Sequence, residues 1–234
     1  MTFDDAPGAA PDLDALRADT RRFAEGLSAD LEGRDQEARA TREDWAADWA
    51  ALARFGILGC IIPKAHGGLG LDALGAVAML EGLGRGCAEN GLTLGVNGQI
   101  WAVTEPIVAF GTEAQKARWL PGLASGALIG AHGMTESASG SDAFALSTTA
   151  ERADGPDGPG YLLNGEKVHV GLAPICDLAL VFASTTPAAR RWGLSAFLVS
   201  AEDAGLVRGE AEAKMGLRTQ PFGRLTLTDS WVPE

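Results

Sequence analysis

The densest cluster of hydroxyls and glycines in this chain is His132-Gly-Met-Thr-Glu-Ser-Ala-Ser-Gly-Ser141, followed by Asp142. Residues of these types can serve a phosphate-bearing or carbonyl-bearing ligand. Thr135 and Ser141 offer hydroxyls, Gly140 lets a backbone come close, and the N–H groups of a turn bind anions whatever the net charge. The same composition also describes an ordinary polar turn. Of the three histidines, His132 flanks the cluster and reads as structural rather than catalytic, His66 lies in a glycine-rich loop, and His169 lies in a β-prone run. None has a carboxylate or second histidine at ligand spacing, so no metal site is expected. Glu105 is the one carboxylate of the first half that invites attention, and nothing in its neighbourhood makes it a base. No catalytic residue is assigned.

Two further patterns are decoys. Gly68-Leu-Gly70-Leu-Asp-Ala73 fits a dinucleotide fingerprint, but the run before it is only Cys60-Ile-Ile62 and no βαβ unit follows, so a helix-entry loop is expected. Cys60, Cys87 and Cys176 are far apart, odd in number and set among apolar or small residues, which reads as packing. The formal net charge of -12 argues against nucleic acid or an anionic membrane as the main partner. No run of 18 apolar residues predicts a membrane span. The acidic start lacks a basic, then apolar, leader, so a cytoplasmic protein is expected.

The elements that must position the cluster come in two kinds. Residues 1–11 read as a flexible leader. From residue 12 to about 125 the period is helical. Leu16, Phe23, Leu27 and Leu31 form one stripe. Thr41 opens a second helix, lined inside by Trp45, Trp49, Leu52 and Phe55 and closed by Gly56. The run Glu32 to Glu43, interleaved with arginines, reads as a solvated face. A third helix is expected from about Asp72 to Leu83 and a fourth from Leu92 to Phe110, with Gly95 and Gly98 admitting a close neighbour. Thr112-x-x-Gln115 is a capping box for a fifth, closed by Pro121. Over 126–234 the runs shorten and become β-prone: Leu146–Ala150, Tyr161–Asn164, Lys167–Val170, Leu178–Phe182, Ser195–Val199 and Arg224–Thr228. Ala153–Gly160 reads as a hairpin or loop. The fold class is α+β: a helical bundle followed by a small β-barrel or sandwich.

With these segments in order, the chain resembles the acyl-CoA dehydrogenase family. The turn at 132–142 is similar to the family's T-E-P-x-x-G-S-D segment. Flanking it are Ala109-Phe-Gly-Thr-Glu-Ala-Gln-Lys116, Trp119–Gly126, Tyr161–Lys167, Ser195–Val199, Lys214-Met-Gly-Leu-Arg218 and Trp231-Val-Pro233 at about the family's spacing. His66 sits in what resembles the P-x-x-x-G-G-x-G loop.

The resemblance, over roughly residues 12–234, implies FAD as cofactor. Thr135 and the N–H groups around Met134 and Thr135 would meet the flavin's pyrimidine edge, with His132 beside them. Gly140 would admit the backbone, and Ser141 would face phosphates of the cofactor or of the acyl substrate's carrier. A second segment, K-x-W-I-T-N-G, reads Lys167-Val-His-Val-Gly-Leu-Ala173 here: His169 stands for the tryptophan, and Gly171 for the threonine whose hydroxyl would reach flavin N5. His169 is then either a planar substitute against the flavin or an ordinary strand residue.

The family's C-terminal helical domain, which often carries the base, has no counterpart here. The implied protein is therefore an N-terminal subunit of a split dehydrogenase that oxidises an acyl thioester on coenzyme A or a carrier protein. A helical subunit would complete it and a flavoprotein would accept its electrons. A non-redox subunit with a degenerate flavin site is the alternative, and a flavin-dependent monooxygenase of the same superfamily a weaker one.

Overall fold

Helix ends in this chain are written by its caps. In the computed structural model, which describes residues 11–27, 40–155 and 158–234, Asp12 caps α1 (Leu13–Glu25) by accepting from the N–H groups of Asp14 and Ala15. Thr41 opens α2 (Arg42–Phe55) with a reciprocal capping box to Asp44, and Gly56 closes it at φ 99°. Asp72 caps α3 (Ala73–Gly86), and Glu89 caps α4 (Asn90–Gln99). A π-helical turn, Ile100–Thr104, joins α4 to α5 (Glu105–Phe110). Thr112 and Gln115 form the expected box at the start of α6 (Glu113–Ala124).

The chain divides into two compact units: one runs to Ala127 and includes Gly216–Thr219, and the other holds Leu128–Met215 and Gln220–Glu234. In the helical unit, α1 lies against α3. Gly82 and Gly86, one turn apart, make that approach possible, since a Cβ at either would come within 2.5 Å or 2.3 Å of the carbonyl oxygens of Arg17 and Arg21. Trp45, Trp49 and Leu52 of α2 are buried as their spacing predicts, and each such side chain contributes about 1.5–3 kcal/mol. Trp45 also satisfies its indole N–H on the carbonyl of Thr219 at 3.0 Å.

Four readings of this half need correction. Helix α1 stops at Glu25, because the Gly26 N–H turns back to the Phe23 carbonyl; Leu27 lies past the helix, and Leu31 lies outside the described residues, as do the leader to residue 10 and most of the acidic run. The fourth helix is interrupted by the π turn. Pro121 does not end α6, which runs through it to Ala124 at the loss of the one intrahelical bond its missing N–H would have donated. Gly98 faces open space and admits no neighbour among the described residues.

The second unit is one seven-stranded sheet: β1 (Gly130–Gly133), β2 (Thr149–Gly155), β3 (Gly158–Gly171), β4 (Leu178–Ser184), β5 (Leu194–Ser200), β6 (Leu206–Arg208) and β7 (Phe222–Pro233). Strand β4 is buried along most of its length. It pairs with β5 on one side, and on the other with β1 in parallel and, at Ser184, with Thr149 of β2. From β2 the order runs through β3 and β7 to β6, all antiparallel. The expected hairpin joins β2 to β3, with Gly155 opposite Gly158.

Three readings change here. Tyr161–Asn164 and Lys167–Val170 are one long strand, bent by register shifts at Leu163/Gly165 and Lys167/Val170. β2 begins only at Thr149, because Ser147 and Thr148 are diverted to Glu136. β1, which delivers His132, was hidden by its glycines and shortness. The α+β class holds, with helices first and the sheet after.

Candidate functional site

β1 ends at Gly133, and the next eight residues form the turn. It is held shut at its base by reciprocal backbone bonds between Glu136 and Ser139, at 2.9 and 3.1 Å, and the Ser139 hydroxyl donates to the Asp142 carbonyl at 2.7 Å. One end is fastened to β3, where the Val168 N–H donates to the Thr135 carbonyl at 2.9 Å.

The centre of the arrangement is an ion pair that residue spacing did not reveal. Lys167 Nζ stands 2.6 Å from Glu136 Oε1, with both side chains almost wholly buried, and reaches the Met134 carbonyl at 3.3 Å. Glu136 also accepts the N–H and hydroxyl of Ser147, at 2.6 and 2.5 Å, and those of Thr148, at 3.0 and 2.6 Å. Burial alone pushes this carboxyl up, but Lys167 and the Ser147 and Thr148 donors outweigh it and hold it at about 2. A buried pair of this kind fixes geometry more than it adds net stability. Here it ties the turn (Glu136), the entry to β2 (Ser147, Thr148) and β3 (Lys167) at one point. The signal in the sequence was the Glu-to-Lys pair inside two motifs that residue order could not bring together.

The residues singled out from sequence lie as follows. Thr135, Gly140 and Ser141 lie on the turn, Gly140 and Ser141 exposed, and Met134 is half-buried. The N–H groups of Met134, Thr135, Gly140 and Ser141 make no backbone hydrogen bond among the described residues. A Cβ on Gly140 would meet nothing described within 4 Å, so this glycine is not demanded by packing within the chain. Unspent donors around an open glycine are what a phosphate-bearing cofactor requires of a cradle, and the turn fits one. His132 is half-buried edge-on to Phe182 at 5.5 Å, and burial lowers its pKa, which keeps the ring neutral at pH 7.

The β3 end carries backbone strain. His169 (φ 54°) and Leu172 (φ 65°) both occupy the left-handed region, which is costly for side chains with a Cβ. His169 sits at the register shift with its ring exposed, Nδ1 3.0 Å from Glu212 Oε2. The Leu172 N–H donates to the Pro221 carbonyl at 2.7 Å. Gly171 lies between the two, opposite Phe222 in the β3–β7 ladder. Glu105, at the start of α5, is half-buried. Cys60, Cys87 and Cys176 are buried thiols, and burial pushes Cys60 up to about 12, where it is inert as a nucleophile.

Comparison with known proteins decides the family. The model of the acyl-CoA dehydrogenase N-terminal domain matches residues 10–127, and that of the middle domain matches 131–230. The chain belongs to the acyl-CoA dehydrogenase family.

Among relatives of this acyl-CoA dehydrogenase family chain, the L-prolyl-[peptidyl-carrier protein] dehydrogenase of Pseudomonas fluorescens is 38% identical over 190 residues, which cover 81% of this chain and 49% of that protein. The human mitochondrial short-chain specific acyl-CoA dehydrogenase is 38% identical over 189 residues, covering 81% and 44%. A solved structure of PigA with FAD and proline superposes with a TM-score of 0.86 at 29% identity, over all of this chain and 58% of that one. The chain thus spans about half the length of the curated relatives it matches. No described helix is long and apolar enough to cross a membrane.

Proposed function

We propose that this chain supplies the FAD-holding wall of a dehydrogenase that oxidises an acyl thioester between its α and β carbons. The observation that carries the reading is the turn at 134–141, with unspent N–H donors, anchored to β3 by the buried Glu136–Lys167 pair. When bound, FAD supplies the hydride-accepting ring. Thr135, through its hydroxyl, and the N–H groups of Met134 and Thr135 would hold and orient that ring, with His132 behind them and His169 and Gly171 at the β3 end. Gly140 lets the backbone approach the cofactor, and the Ser141 hydroxyl serves phosphates of the cofactor or of the thioester's carrier.

Glu136, the buried carboxylate of this turn, is not suited to proton abstraction. Glu136 is committed to Lys167 and four donors, and a carboxyl held at about 2 is too weak a base for an α-proton. We propose that the base is carried by a helical part not among these residues, and that a flavoprotein accepts the electrons. The prolyl-carrier relative supports a carrier-bound thioester, and the short-chain relative a coenzyme A thioester.

The test is to co-express the chain with a helical C-terminal part of the family and assay acyl-coenzyme A and carrier-bound substrates. A yellow complex with thioester-dependent acceptor reduction is expected. A complex that is colourless and takes up no added FAD would overturn the reading in favour of a non-redox acyl-binding subunit. Turnover centred on oxygen insertion would favour the monooxygenase.

A further inference from the structure

The sequence departs from the family's pattern most sharply at Gly171, where a threonine hydroxyl is lost; the structure shows what stands there instead. A Cβ built on Gly171 would lie 3.1 Å from Nε2 of Gln220 and 3.7 Å from the ring of Phe222. A side chain at 171 and the Gln220 amide therefore compete for one volume. Gln220 is only 3% exposed, and its Oε1 is enclosed with no hydrogen-bond partner among the described residues. An unsatisfied buried amide oxygen is costly, so an amide kept at such a place calls for a partner that the described residues do not provide.

Its backbone is fixed from two sides. The Gln220 carbonyl accepts from the Lys214 ammonium, which also stands over the Phe222 ring at 4.4 Å. The neighbouring Pro221 carbonyl accepts from the Leu172 N–H at 2.7 Å. The segment 220–222 is thereby pinned alongside 171–172.

We propose that Gln220 is a cofactor-contact residue: its side-chain amide makes the polar contact to the flavin that Gly171 cannot, and Gly171 is glycine to make room for it. The inference rests on the FAD reading above. An amide has two N–H donors and a carbonyl acceptor. Nε2, the atom beside Gly171, can therefore donate to a ring nitrogen. The exchange of threonine for glycine at 171 is then one half of a compensated pair.

The test uses the chain together with a helical C-terminal part of the family. FAD affinity by equilibrium dialysis, the flavin absorption spectrum and the flavin reduction potential are measured for wild type, Gln220→Leu, Gly171→Thr and the double variant Gln220→Ala/Gly171→Thr. Gln220→Leu should weaken FAD about fivefold, the loss of one hydrogen bond, and move both spectrum and potential. Gly171→Thr alone should also weaken FAD, because its side chain meets the amide, and the double variant should recover affinity. Unfolding of the apo-complex should be unchanged or later in Gln220→Leu, since an unsatisfied buried oxygen has been removed. Wild-type affinity, spectrum and potential in Gln220→Leu would overturn this inference and leave the FAD reading standing. A wild-type complex that binds no FAD would overturn both.

Discussion

At the scale of single residues, Glu136 and Lys167 bear most of the responsibility for the shape of the turn. Removing one member of a buried pair leaves the other uncompensated, at a cost of about 3–5 kcal/mol. Glu136→Gln and Lys167→Met should each lower unfolding stability by that order, and the double variant should lose much less than the sum of the two in a denaturant cycle. The pair also sets a pH dependence. The folded carboxyl sits at about 2, against about 4.3 in an unfolded chain. Its stabilisation is present above about pH 4.3 and is lost as pH falls toward 2, on the order of 3 kcal/mol in all. Stability measured across that window should fall in the wild type, and this component should be missing in Glu136→Gln. On the cradle itself, Ser141→Trp should displace flavin by filling the space, whereas Thr135→Ala should weaken FAD by only about one hydrogen bond's worth, ~1 kcal/mol, in a binding titration.

At the scale of elements, glycines divide into those required by conformation and those required by space. Gly67 ends the short helix Lys64–His66 at φ 86° with open surroundings, while the adjacent Gly68 would place a Cβ 2.1 Å from the Ile62 carbonyl oxygen. Gly67→Ala should cost about 1 kcal/mol of backbone strain. Gly68→Ala must instead move the loop, and should cost several times as much in the same thermal or urea unfolding experiment. The dinucleotide-like spacing there is thus explained by packing against Gly59 and Ile62, whose carbonyls both come within 2.5 Å of that missing Cβ. The π turn at Ile100–Thr104 shows the opposite case, in which the apolar period continues across a change of helical geometry that no residue type announces.

For the whole molecule, the expectation is division of labour. On the proposed reading these residues supply a cofactor wall in which Glu136, the glutamate of the turn, is already committed, so by themselves they should show no dehydrogenase turnover, even with FAD added. Combined with a helical part that carries a carboxylate, they should turn over an acyl thioester, and mutation of that carboxylate should abolish rate while leaving the flavin spectrum intact. Reduction of an artificial electron acceptor by the chain alone would overturn the assignment and make Glu105 the first residue to mutate.

The sequence by itself determined what is local. Caps at Thr41, Gly56 and Thr112 write helix ends because their hydrogen bonds close within four residues, and the burial of Trp45, Trp49 and Leu52 follows from a period of one helical turn. The turn at 132–142 was legible because hydroxyls and glycines must be contiguous to make one. Only the tertiary structure decided what depends on distant segments meeting. It brought Lys167 to Glu136, 31 residues away, and bent one long β3 where two strands had been read. It also placed Gln220 against Gly171, 49 positions earlier by their numbers in the chain. A sheet pairs residues by register and not by spacing, so contacts that cross it leave no period in the sequence from which they could be read.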